Sequence, residues 1–323
     1  MEFFKYSRSY NFMGKSPLFV LLSIVVMIAS VVLLFTRGLN YGIDFAGGTV
    51  IQVKYDTTAP IAQMRTKLKE QKFFDGAAIT KFGSDEEVVI RIKTTTQELG
   101  SDIGDIARNS LQGTGNFEIR RVDIVGPKVG SELREKGMMA MLLAVIGILI
   151  YVTFRFEWRF ALASVFALIH DITIALGALS LFAIDVNLDI LAALLTLLGY
   201  SLNDTIIVFD RIREGLTTIK SNDLKEVINE SVTRTLSRTT LTSLTTFFVI
   251  LTLFLLGGEI IHGFSFTLVV GILVGTYSSI FVASVILVYS GFSVTSFRAK
   301  EAQKQKLAKE KEQMRSMYEQ GTI

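Results

Sequence analysis

Cysteine is absent from the chain, which excludes disulfides, thiolate metal sites and a cysteine nucleophile and leaves the redox compartment unreadable. Histidine occurs only at His170 and His262, too few for a multi-histidine metal centre. No nucleophile, base and orienter stand in a recognisable set, so an enzyme is not expected. No GxxxxGK[ST] phosphate loop occurs either, so any ATP use belongs to a partner. A net charge of +3 is too small to imply nucleic acid, and neither a metal nor a cofactor is expected. What is abundant is hydrocarbon: half of the 323 residues are apolar and only three are proline. That composition is that of a membrane protein.

Six segments are long enough to cross a bilayer: Pro17–Thr36, Gly137–Phe154, Phe160–Ala183, Asp189–Phe209, Thr239–Leu256 and Phe264–Ser290. The first exceeds a signal-peptide core, and Arg37-Gly38 stands where a small-residue cleavage site is expected, so it reads as a retained anchor. Lys and Arg in short flanks set orientation. Basic residues gather in 1–16, in the turn "RFEWR", in 210–238 and in the tail 291–323, and are missing around Asp185 and Glu259. Both termini are therefore expected in the cytoplasm, with 37–136 outside. The mixed-charge tail reads as a frayed or partly helical solvated segment near anionic lipid.

The external stretch has the pattern of a small domain. "TVIQVKY" alternates as a strand, Pro60–Lys72 is an amphipathic helix, and "AITKF" and "EVVIRIK" are two further strands. A helix over Gln97–Leu111 and a last strand in "NFEIRRVDIV" complete the order β-α-β-β-α-β of a ferredoxin-like α+β unit. "GIDFAGG", with Gly42, Asp44, Gly47 and Gly48, reads as turn geometry joining membrane to domain, with Asp44 capping a turn or binding a cation. "VGPKVGSELREKG" reads the same way at the return.

The fourth segment carries charge where lipid should be. Residues seven apart share a helix face, so Thr196, Asn203 and Asp210 fall on one line, with Gly199 and Ile207 on the same side. Asp204 and Arg211 lie on the next line. Asp204 stands six residues before Asp210, roughly 9 Å inside the rim at 1.5 Å per residue. An ionised carboxylate facing lipid costs about 2.5–3.5 kcal/mol, so this stripe is expected to face protein or a water-filled cavity. His170-Asp171 lie near mid-depth of the third segment. In "SVTRTLSRTTLTSLTT", Arg234, Arg238, Thr242 and Thr245 share a face, and Arg238 can turn inward to meet Asp204. An Asp-Arg pair ringed by hydroxyls and the Asn203 amide is able to hold or release a proton. Plainer roles stay open: a fixed ion pair at Asp204, helix packing by His170-Asp171, and rim anchoring by Arg234 and Arg238. Gly271 and Gly275 have GxxxG spacing and read as close helix packing.

Taken in order, "GIDFAGGT", "VGPKVGSEL", "FRFEWRFALASV…ALIHD", "GYSLNDTIIVFDRIRE" and "TLSRTTLTSLTT" resemble the SecF family, the smaller partners in SecD/SecF protein-export pairs, over nearly the whole chain. The resemblance implies kinship with proton-driven resistance-nodulation-division exporters. It implies pairing with SecD so that two six-helix halves form one unit on the Sec translocon channel, alongside other accessory subunits. It also implies use of the proton gradient to draw preproteins across the bacterial inner membrane. On this resemblance the proton-linked aspartate of "SLND" is Asp204 and the arginine of the "RT" motif is Arg238, with Asn203, Asp171 and Arg234 as neighbours. The alternatives are a passive scaffold for the translocon and half of a small-molecule exporter. Drug exporters of that superfamily have external domains much larger than 37–136.

Overall fold

The structure is a computed structural model and describes residues 9–92 and 103–319. Lys5, Arg8, the first part of the helix expected at Gln97–Leu111 and the last residues of the tail lie outside these.

Among the described residues six helices are long and apolar enough to span a membrane: α1 (Phe12–Thr36), α5 (Pro127–Arg155), α6 (Trp158–Leu181), α7 (Leu188–Thr218), α8 (Leu224–Leu256) and Glu259–Tyr289. The last is α9 (Glu259–Ser278), a π-helical turn at Ser279–Ala283, and α10 (Ser284–Tyr289). In α1 the ring of Pro17 removes a backbone donor, and the Ser16 hydroxyl donates instead to the carbonyl left free on Met13, at 2.8 Å. Small residues allow the helices to approach. A Cβ on Gly177 of α6 would lie 2.3 Å from Ser30 of α1, so only glycine permits that crossing.

Helices run beyond the expected spans. The stretch 210–238, expected as a loop, is helical on both sides of a short connection, residues 219–223, because Asn187 and Asp223 cap the starts of α7 and α8 and no breaker follows. "VGPKVGSELREKG", expected as turn geometry, is instead the first turns of α5, with Pro127 at the favoured first helical position. The tail forms α11 (Val294–Glu319). Its Arg298 donates to the carbonyls of Leu216 at 2.6 Å and Ser221 at 2.8 Å, which fastens the start of α11 under the α7–α8 connection.

Between α1 and α5 stand α2 (Ile43–Ala46), β1 (Gly48–Tyr55), α3 (Ile61–Lys69), β2 (Ala78–Phe82), β3 (Ser84–Ile92), α4 (Ile103–Ser110) and β4 (Phe117–Val125). The strands form one antiparallel sheet in the order β2-β3-β1-β4, as in a ferredoxin-like unit. Alternate residues of β1, Ile51, Val53 and Tyr55, enter its core beside Met64, Leu68 and Ala107 from the helices.

The glycine motif locks this domain to the bundle. Gly47 has φ 74°, and a Cβ there would lie 2.9 Å from Pro127 Cα; Gly48 has φ 137°, and a Cβ would lie 2.6 Å from the Ile92 carbonyl. The Gly42 amide donates to the Val186 carbonyl at 2.9 Å, and Asp44 accepts from the Leu188 amide at 3.0 Å, helping to cap α7. Arg91 of β3 pairs with Asp185 on the α6–α7 connection. Asp44 thus serves as a cap on α7, from a motif whose middle, Ile43–Ala46, is a short helix.

Candidate functional site

Four helices bring two carboxylates into the bundle. The Gly271/Gly275 pair on α9 sets the geometry: Cβ atoms there would lie 2.4 Å from Leu197 and 3.1 Å from Ser201, so α9 lies directly on this face of α7. That contact turns Ser201, Asp204 and Thr205 inward, and all three are buried.

Asp171 of α6 is fully buried and well supplied with donors. Its Oδ1 lies 2.9 Å from His170 Nδ1, and its Oδ2 accepts from the Ser201 hydroxyl at 2.5 Å and the Ser278 hydroxyl at 2.8 Å. One side chain thereby ties α6, α7 and α9 together.

Asp204 is buried to the same degree and supplied differently. Its Oδ2 accepts from Ser243 of α8 at 2.8 Å and weakly from Thr276 of α9 at 3.4 Å. Its Oδ1 is buried and has no hydrogen-bond partner among the described residues. No cation pairs with it among the described residues. A buried carboxylate left in this way is poorly compensated as a fixed ion. Thr276 and Ser278 run directly into the π-helical turn at Ser279–Ala283, a local irregularity that recurs at functional sites.

The structure does not bring the other expected residues to Asp204. Arg238 is exposed, and its side chain makes no ion pair or hydrogen bond among the described residues. The expected meeting of Arg238 with Asp204 is therefore not formed here. The reason is helical phase: the line that turns inward on α8 is Thr235, Thr239 and Ser243, while Arg234, Arg238, Thr242 and Thr245 point outward. Arg234 pairs with Glu230 one turn back, as a rim residue. Asn203, with Thr196 and Gly199, is exposed on α7, so this part of the seven-residue stripe faces away from the bundle, while Ile207 and Asp210 are half-buried. Asp210 at its end is held by Arg155 at 3.0 Å. Besides His170, the donors that contact the carboxylates are Ser201, Ser243, Thr276 and Ser278, which nothing in the sequence separates from the many other intramembrane hydroxyls. The GxxxG pair carries the signal, because it fixes which face of α7 turns in.

Six membrane helices, an inserted ferredoxin-like domain and two carboxylates buried at helix contacts define a multi-pass membrane protein of the transport class. The family model described as "Protein export membrane protein SecD/SecF, C-terminal" matches residues 106–293, and that of the "SecD/SecF GG Motif" matches residues 32–59. The chain is 46% identical to the protein translocase subunit SecF of Helicobacter pylori over 323 residues, all of both chains. It is 48% identical to that of Calditerrivibrio nitroreducens over 88% of this chain and 95% of the relative. A crystal structure of SecDF, a translocon-associated membrane protein from Thermus thermophilus, superposes with a TM-score of 0.79 at 36% identity, covering 88% of this chain. The chain spans 39% of the length of that SecDF chain. The chain belongs to the SecF family.

Proposed function

We propose that this chain is an accessory subunit of Sec protein export that pairs with SecD, docks on the translocon channel and uses the proton-motive force to help complete preprotein translocation. The single observation that carries the proton step is Asp204, a buried carboxylate with one oxygen unpartnered and no cation beside it. Such a group changes its bonding when it gains or loses a proton, whereas Asp171, with three donors, serves as a fixed tie between helices.

Pairing with SecD is supported by what a single six-helix unit leaves uncovered. Thr196 and Asn203 on α7 and Arg238 and Thr242 on α8 are exposed along helices long and apolar enough to cross a membrane. A polar face of this kind needs a protein partner or water. With a second six-helix half against it, Arg238 is shielded from lipid. A rotation of α8 that carries its arginine face inward then lets Arg238 replace Ser243 beside the ionised Asp204. The two states differ in which group Asp204 contacts, which is the differential interaction a coupled motion requires. The Gly47–Gly48 lock passes movement of α5 and α7 to the external domain.

Both termini lie in the cytoplasm in this reading, the membrane is the bacterial inner membrane, and the chain performs no covalent catalysis. Proton flux into vesicles holding the SecD/SecF pair tests it. Wild type is expected to carry flux that Asp204→Asn and Arg238→Ala abolish, while the variants still co-purify with SecD. Equal flux in all three removes the proton mechanism and leaves a passive scaffold.

A further inference from the structure

A second feature of the bundle shares no residue with the contacts of Asp204. A groove of about 550 Å³ runs between α1, α6 and α10, within the usual size range of binding pockets. Its walls are hydrocarbon: Ile24 and Met27 from α1, Leu162 and Phe166 from α6, Val285 and Ile286 from α10. Ser23 also lines it, but its hydroxyl is taken by Tyr277 at 2.9 Å.

The two ends differ. At the mouth, on the end of the bundle that holds both described chain ends, stand Trp158, Arg159, Tyr289 and Ser290. Trp158 and Tyr289 are exposed, as aromatic side chains are at headgroup level. Arg159 lies 5.5 Å from the centre of the Trp158 ring and donates from one terminal nitrogen to the Gly291 carbonyl at 2.9 Å. Its Nε has no partner, and no carboxylate pairs with it among the described residues. Arg155, four residues earlier, is neutralised by Asp210. The Nε is buried, so what the mouth presents is the terminal end of one guanidinium with no carboxylate beside it among the described residues, a group suited to a phosphate. The inner end is His170, whose Nδ1 is held by Asp171. From Arg159 to His170 is eleven residues of helix, about 16 Å. That is half of a hydrocarbon core of about 30 Å, the depth of one leaflet.

We propose that this groove is a binding site for one anionic phospholipid of the leaflet at that end, with its phosphate on Arg159 and one acyl chain along Phe166 toward His170. Charge selects the headgroup and leaflet depth selects the chain. A lipid seated here covers the His170 edge and seals the Asp171 ties from the bilayer side.

Trp158 is the only tryptophan in the chain, so its fluorescence reports the mouth directly. The full chain is placed in phosphatidylcholine vesicles containing increasing amounts of acyl-brominated phosphatidylglycerol or acyl-brominated phosphatidylcholine, and quenching is read. Wild type is expected to reach half-quenching at about one-fifth the mole fraction of the anionic lipid, the ratio one basic residue near an anionic surface supplies. In Arg159→Gln the two curves should coincide. Ser290→Asp sets a carboxylate at the mouth while keeping the arginine, should also merge the curves, and covers the case in which Arg159→Gln does not insert. Coincident curves in the wild type, or a preference that survives in both variants, overturns the proposal. The first result means that bulk lipid fills the groove without selection.

Discussion

Replacing Asp171 by alanine removes three contacts at once: those with His170 Nδ1, the Ser201 hydroxyl and the Ser278 hydroxyl. Interhelical hydrogen bonds in membranes contribute about 0.6 kcal/mol each on average and at most about 1.7. Three of them come to roughly 2–5 kcal/mol. The upper part of that range applies if both His170 nitrogens are left without partners, since its Nε2 has none already. The lower part applies if the serines rebond locally, and Ser278 already has the Gly275 carbonyl at 3.1 Å. Asp204→Asn differs because the amide oxygen still accepts from Ser243 and Thr276, so the expected cost is under about 1 kcal/mol. Both variants are unfolded in mixed micelles by increasing the fraction of sodium dodecyl sulfate, with circular dichroism as readout. Asp171→Ala should unfold at a distinctly lower fraction and Asp204→Asn close to wild type. The reverse order, or equal losses, would refute the division into a fixed and a changeable carboxylate.

Gly47→Ala forces a side chain into φ 74° with backbone 2.9 Å away, so a loss of at least about 1–2 kcal/mol is expected, visible as faster proteolysis at the junction of β4 and α5. Arg91 and Asp185 are partly exposed, so Arg91→Ala should change stability by under about 1 kcal/mol in the same micelle assay. Because the chain has no native cysteine, Arg91→Cys with Asp185→Cys accepts a short bismaleimide cleanly. On the proposed mechanism that crosslink arrests export in the SecD/SecF pair while leaving complex recovery intact. Lys81 beside Asp85 holds that carboxyl below its ordinary value of 3.8. Its small stabilising effect is present above that value and is lost as pH falls through the lower folded value; Lys81→Ala should return the Asp85 titration, followed by NMR of the soluble domain or full chain, to the ordinary range.

The external domain could be read from sequence almost strand by strand because its core residues alternate, and β1 buries Ile51, Val53 and Tyr55 as that alternation requires. The six spans were equally visible, since about 20 apolar residues leave few other readings. Helix ends were not: hydropathy marks where lipid stops, while α5 and α8 continue until a cap or breaker stops them, as at Gly126 and Asp223. Within the membrane, Asp204 was identified by its cost in lipid, but its partners were not. Hydroxyls stand on two neighbouring lines of α8, and composition cannot choose between them. The choice is made on another helix, where Gly271 and Gly275 press α9 onto Leu197 and Ser201 and fix the rotation of α7.

That rotation also explains why the arginine and the stripe face outward without contradicting a role for them. A helix at the centre of a two-half unit has two protein faces. In α7 one face carries Ser201, Asp204 and Thr205 into this chain, and the other carries Thr196, Gly199 and Asn203 out of it. On α8 the corresponding faces are Thr235, Thr239 and Ser243 inward and Arg234, Arg238 and Thr242 outward. A chain that worked alone in lipid would gain from making the outward faces apolar, as those of α1 and α5 are, where Leu18, Leu21, Leu142 and Leu143 are exposed. On the proposed pairing, the exposed polar residues of α7 and α8 are where the second half would sit. Asn203→Leu should weaken co-purification with SecD while leaving micelle unfolding of the single chain unchanged, because Asn203 has no hydrogen bond to lose within the described residues. Undiminished co-purification would place the second half elsewhere.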